Sequence, residues 1–152
     1  MRQLTISALL IILSFVCCAI AVAKDETVDE LKARFDKTRA EDRPQLGIKI
    51  AEHQLRDADK LYNEGKIDQA VVAVEDVVTY SEKARDAATQ TKKQMKEVEI
   101  GARKMAEKLR DIKRNLAFED QSPVKDAIDR LEAIRTTLLD EMFAKDDKKG
   151  KK

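Results

Sequence analysis

The sequence predicts an all-α protein, antiparallel helical hairpins built on one long central helix. Three observations carry that expectation. Apolar residues recur at helical spacings of 3 and 4 through most of the chain. Composition points the same way: 39% of residues are charged, only 4% are aromatic and Trp is absent, the profile of a helical bundle or coiled coil. Finally, Pro44, Gly65 and Pro123 stand where the periodic stretches begin or end, as helix starts and stops do.

Residues 1–23 stand apart from the fold. Arg2 gives a short positive region, an apolar run from Ile6 to Val22 follows, and Ala21-Val22-Ala23 is a small-x-small cleavage site just before Lys24-Asp25-Glu26. This is the three-part form of a secretory signal peptide, with cleavage expected after Ala23. An uncleaved N-terminal membrane anchor is the alternative, since the run nears the length of a membrane helix. Cys17 and Cys18 raise a lipoprotein reading, but Ser14-Phe15-Val16 before them resembles a lipobox poorly. Cleavage would remove both cysteines and leave neither a disulfide framework nor thiolate ligands. The remaining 129 residues (152 less 23) hold 29 Lys+Arg (30 less Arg2) against 29 Asp+Glu. A net charge of zero offers no long-range attraction to nucleic acid or anionic membrane.

The helical domain is expected over residues 24–143. Thr27 and Glu30 form a capping box, after which Val28, Leu31 and Phe35 share one face of a short helix. Pro44 suits a first turn, so a second helix opens near Asp42, with a stripe of Ile48, Ala51, Leu55, Ala58 and Tyr62. Gly65 is its left-handed stop. Asp68 is then placed to cap the next helix, with Ile67 and Val72 stapling its entry.

From Ile67 to Leu116 the seam never slips. Ile67, Ala70, Val74, Val77, Ser81 and Ala84 lead through Ala88, Thr91 and Met95 to Val98, Ala102, Met105, Leu109, Ile112 and Leu116. An inserted loop would usually shift the phase, which favours one helix of roughly 75 Å at 1.5 Å per residue. Its weak point is "ATQTKKQ", and folding there would give a compact four-helix bundle instead. Ser122-Pro123 opens the last helix, whose stripe is Val124, Ile128, Leu131, Ile134, Leu138 and Met142. Residues 144–152 have no apolar residue after Ala144 and are expected to be a disordered charged tail.

Residues 51–82, around "LYNEGKIDQAVVAV", resemble a single tetratricopeptide-like hairpin, with Gly65 at the turn and Ala58 and Ala70 at the small contact positions. Gln54, Asp57 and Glu82 depart from that family's large aromatic, leucine and proline, and no second copy follows. A helix–turn–helix solved the same way is the plainer reading; a true repeat would imply peptide binding. "KLRDIKRNLAFEDQSPV", together with "LYNEGK", resembles small secreted all-helical proteins of soil bacteria. That resemblance implies a bacterial envelope location and carries no active site.

The parts of an enzyme are scarce. His53 is the sole histidine, with Glu52 and Asp57 nearby, and reads as a solvated surface residue. Glycine-rich phosphate loops are absent, so no catalytic, cofactor-binding or metal-binding residue is assigned, no cofactor is expected and the chain is not read as an enzyme. Residues 92–114 carry nine bases and four acids, and residues 119–141 seven acids and three bases. The first is either an anion-binding strip or the internal complement of the second; lack of interleaved aromatics argues against nucleic acid. In "LAFEDQSPV", Phe118 anchors a hairpin loop or marks a recognition loop. Gly101, beside Ala102, allows close helix approach. The expectation is an exported interaction or scaffolding protein that binds protein partners or itself. A lipid- or membrane-surface binder is the alternative, and residues 89–94 are the expected open surface.

Overall fold

The structure, a computed structural model, describes residues 26–144. The signal-peptide reading of residues 1–23 and the charged tail after Ala144 lie outside them. The described residues are all-α, in five helices: α1 (Val28–Phe35), α2 (Arg43–Asn63), α3 (Ile67–Thr91), α4 (Met95–Arg114) and α5 (Gln121–Phe143). A short 3-10 turn, Phe118–Asp120, precedes α5.

Local chemistry sets most of the boundaries. The Thr27 hydroxyl accepts the Glu30 amide at 3.3 Å while the Glu30 carboxylate accepts the Thr27 amide at 2.9 Å, completing the capping box of α1. Pro44 sits in the first turn of α2 behind the Asp42 N-cap. At the other end Gly65 takes φ +72°, so its amide donates to the Tyr62 carbonyl and that of Lys66 to the Leu61 carbonyl. These are the two bonds of a Schellman stop, which occupy carbonyls the helix leaves free. Asp68 does not cap α3, which opens one residue earlier at Ile67 with no side-chain cap. Likewise α5 opens at Gln121, ahead of Ser122, because the 3-10 turn runs directly into it.

The single long helix is corrected. Helix α3 ends at Thr91, α4 begins at Met95, and both Lys92 (φ +57°) and Gln94 (φ +58°) are left-handed. Helix α4 therefore folds back through the bundle. Ile48 of α2 faces Gly101 of α4, and Asp59 of α2 pairs with Lys108 further along α4 at 2.8 Å, so these two helices run parallel. Similarly Arg130 of α5 reaches Glu75 and Glu82 of α3, while Glu141 meets Lys92, so α3 and α5 are parallel too. Helix α2 packs against α3, and α4 against α5. Four helices thus enclose one core, with α3 and α4 across its diagonal. Periodicity hid the turn because the seam residues on either side of it, Thr91 and Met95, keep the heptad step. A stripe records which face is buried, not the path between two stripes. Folding wins because it gives each stripe two neighbours instead of one, bringing Val74, Val77, Val98, Met105, Leu109, Leu131 and Ile134 into a common core, all nearly inaccessible to solvent.

Two glycines set the closest approaches. A Cβ on Gly101 would stand 3.0 Å from Ile48 Cγ2, as the sequence suggests for that position. A Cβ on Gly47 would meet both Ala84 Cβ and the Tyr80 carbonyl oxygen at 2.9 Å, so α2 and α3 touch there almost backbone to backbone. Helix α1 lies outside the main core. Leu31 and Phe35 bury themselves with Leu46 and Ile50, and Phe35 meets Tyr80 edge to face at 5.5 Å. The Lys83 ammonium stands 4.8 Å from the Tyr80 ring centre and 5.6 Å from that of Phe35, and Lys32 bonds Asp76 of α3 at 2.6 Å.

Candidate interaction surface

No catalytic or ligand residue came from the sequence, so the surface is built from what the helices leave outward. His53 lies half-buried on α2, with Glu52 and Asp57 exposed. Among the described residues no group of three His, Cys, Asp or Glu side chains could hold a metal. No helix among them is long and apolar enough to cross a membrane.

The charged stretches divide their partners. Between α4 and α5, Arg110 meets Glu132 at 2.7 Å and Arg135 meets the buried Glu99 at 2.8 Å. The Glu99 hydrogen bond raises the Arg135 pKa above its ordinary value. Other bases of 92–114 turn elsewhere: Lys108 to Asp59 of α2, Lys93 to Glu41 before α2. Complementarity is therefore spread over the bundle rather than confined to one helix pair. Exposed pairs of this kind set register more than stability, at about 0–1 kcal/mol each.

Phe118 does not anchor its loop. It is 89% exposed, whereas Leu116 packs on the core and its carbonyl accepts the Gln121 side-chain amide at 3.0 Å. The anchor is Leu116, and it leaves the aromatic ring standing in water. A large, exposed ring on a short turn is the kind of residue that binding surfaces use. Close by in the chain, Arg110, Lys113, Arg114 and Lys125 line a groove of about 610 Å³ between α4 and α5, where Arg110 pairs with Glu132 and Lys125 with Asp129. Tyr62, at the C-terminal end of α2, buries a hydroxyl with no hydrogen-bond partner among the described residues. Burial, and then the nearby Asp120 charge, pushes its pKa up. The seam already places Leu116 on the buried side, but the expected loop anchor, Phe118, lies past the helix end, where periodicity no longer applies.

The expected open surface at residues 89–94 is the turn itself. Lys92 pairs with Glu141 at 2.8 Å, Lys93 with Glu41 at 2.9 Å, and the Gln94 side chain donates to the Glu41 carbonyl at 3.1 Å. Thr89 is half-buried, and its hydroxyl has no partner among the described residues. Compared with family models, curated proteins and solved structures, the chain matches none.

Proposed function

We propose that the chain is an exported helical interaction or scaffolding protein of a bacterial envelope, binding protein partners or itself and performing no catalysis. The observation that carries this reading is Phe118, 89% exposed on a turn where Leu116 packs on the core and its carbonyl accepts the Gln121 side-chain amide. Export rests on Ala21-Val22-Ala23 before Lys24. The test is retention of envelope proteins on the immobilised chain, with and without Phe118→Ser. Partners kept by the parent and lost by a variant that melts unchanged support the reading; equal retention by both overturns it. Mass spectrometry of the exported protein should find Lys24 first, and an N-terminal Met1 or an acylated Cys17 or Cys18 would refute cleavage.

A second reading, contact with a membrane surface, is favoured by the basic groove close to Phe118 in the chain. It requires binding to anionic vesicles that falls with salt and with Phe118→Ser. Binding to neither vesicles nor extract proteins dismisses both readings of the tip.

A further inference from the structure

We propose that residues 92–94 are a hinge, and that a second copy of this chain is a partner: two chains straighten at the hinge and exchange their α4–α5 halves. This deepens the reading as an interaction protein by naming one partner. It rests on three independent features of the same short segment.

The first is phase. One seam of buried residues on α3 (Ala70, Val74, Val77, Ser81, Ala84, Ala88) continues through the half-buried Thr91 into one on α4 (Met95, Val98, Ala102, Met105, Leu109, Ile112), in uninterrupted steps of 3 and 4. A bundle that only ever folded back at 92–94 would gain nothing from such continuity, because the turn frees α4 to start at any phase. Straightened, the two helices become one, and both stripes line a single face. The second is strain. Lys92 and Gln94 are both left-handed without being Gly or Asn, in a connection only three residues long. Short connections under strain are the sites at which chains exchange elements. The third is what holds the turn shut. Its tethers are Lys92–Glu141, Lys93–Glu41 and Gln94 to the Glu41 carbonyl, all at exposed positions where such contacts contribute little. Thr89, close by, has a hydroxyl with no hydrogen-bond partner among the described residues.

Nothing else in the core has to change. Helix α4 meets α2 through Gly101 and Ile48, and through Lys108 and Asp59; α5 meets α3 through Arg130 with Glu75 and Glu82. Every one of these contacts can form equally between chains. Exchange therefore keeps the interfaces while releasing four left-handed residues per dimer, two from each chain.

The experiment uses the purified full chain, unfolded and refolded at rising concentration, then sized. Spin labels at Val72 and Arg114, both exposed and at the same end of the closed bundle, read the hinge in labelled chains diluted with unlabelled ones. A monomer gives a short distance. In an exchanged dimer the 42 residues between the labels lie on one helix and give about 63 Å at 1.5 Å per residue. The double variant Lys92→Gly, Gln94→Gly relieves the closed turn and is expected to weaken the dimer at least tenfold while leaving helicity intact. Phe118→Ser is expected to leave the dimer unchanged. A dimer with a short intrachain distance, absence of any dimer after refolding, no response to the glycine pair, or a dimer lost with Phe118→Ser would each overturn the exchange. The last would assign self-association to the exposed tip and leave the reading as an interaction protein standing.

Discussion

The chain reverses after Asn63 and again after Thr91, and the two reversals are made of different materials. The first has Gly65 at φ +72°, no atom of the described residues other than itself and its chain neighbours within 4 Å of where its Cβ would be, and two backbone bonds closing the helix end. The second has Lys92 and Gln94 in the same left-handed region, held by long charged and polar side chains. The first turn is closed by its own backbone bonds and by a Lys66–Glu64 pair at 2.7 Å, all within the turn itself. The other depends on the body of the protein to hold it. Ordinarily a left-handed non-Gly residue persists only where its surroundings over-determine it. Here the surroundings are the packed stripes of α3 and α4, so the second turn is a consequence of the core, whereas the first helps to specify it.

Several substitutions would sharpen or break that contrast. The largest effect should come from the core on either side of the second turn. Val74→Asp or Leu109→Asp buries an unpaired charge and should cost several kcal/mol in urea or thermal melts, with Gln90→Asp, at an exposed position, nearly silent. Equal losses at all three would mean the stripes do not share one core. Next, Gly47→Ala should cost about 1–3 kcal/mol, because the new methyl meets the Tyr80 carbonyl oxygen at 2.9 Å and backbone has to move. Gly101→Ala meets only the Ile48 side chain, and the roughly 1 kcal/mol gained in helix propensity should offset most of the crowding. If the two alanines cost the same in denaturant melts, the α2–α3 contact is looser than its geometry shows.

At the turns themselves the sign should invert. Gly65→Ala loses about 1–2 kcal/mol through backbone conformation alone, since the site has room. Lys92→Gly should raise the monomer's stability by about 1 kcal/mol at most, as glycine also loosens the unfolded chain and one exposed ion pair is lost. A destabilised Lys92→Gly monomer would show that the tethers, and not the core, hold the second turn.

Much of this was legible in the sequence, and the reasons for the rest are physical. The capping box at Thr27, the stop at Gly65 and the buried stripes all depend on residues close in sequence, so local pattern contains them. The path at 92–94 does not, because an in-phase turn and a continuous helix leave the same stripe. Gly47 was missed since its role is set by Tyr80 and Ala84, far along the chain. Phe118 was misplaced for a related reason: Leu116, the last residue of the seam, fills the core position two residues earlier, and past the helix end only the folded loop reveals where the ring points.

The docking of α1 bears on how the chain leaves a narrow exit, N-terminus first. Eight residues are too few to hold a helix in water, where about 12–15 are already marginal. Two of the side chains that fix α1, Tyr80 and Lys83, stand 45 and 48 residues beyond Phe35. Until that length of chain has emerged, α1 has only Leu46 and Ile50 of α2 to lie against, without the ring and the charge that complete its seat. Although α1 comes first among the described helices, its seat is completed only once α3 has emerged, by the order of emergence alone.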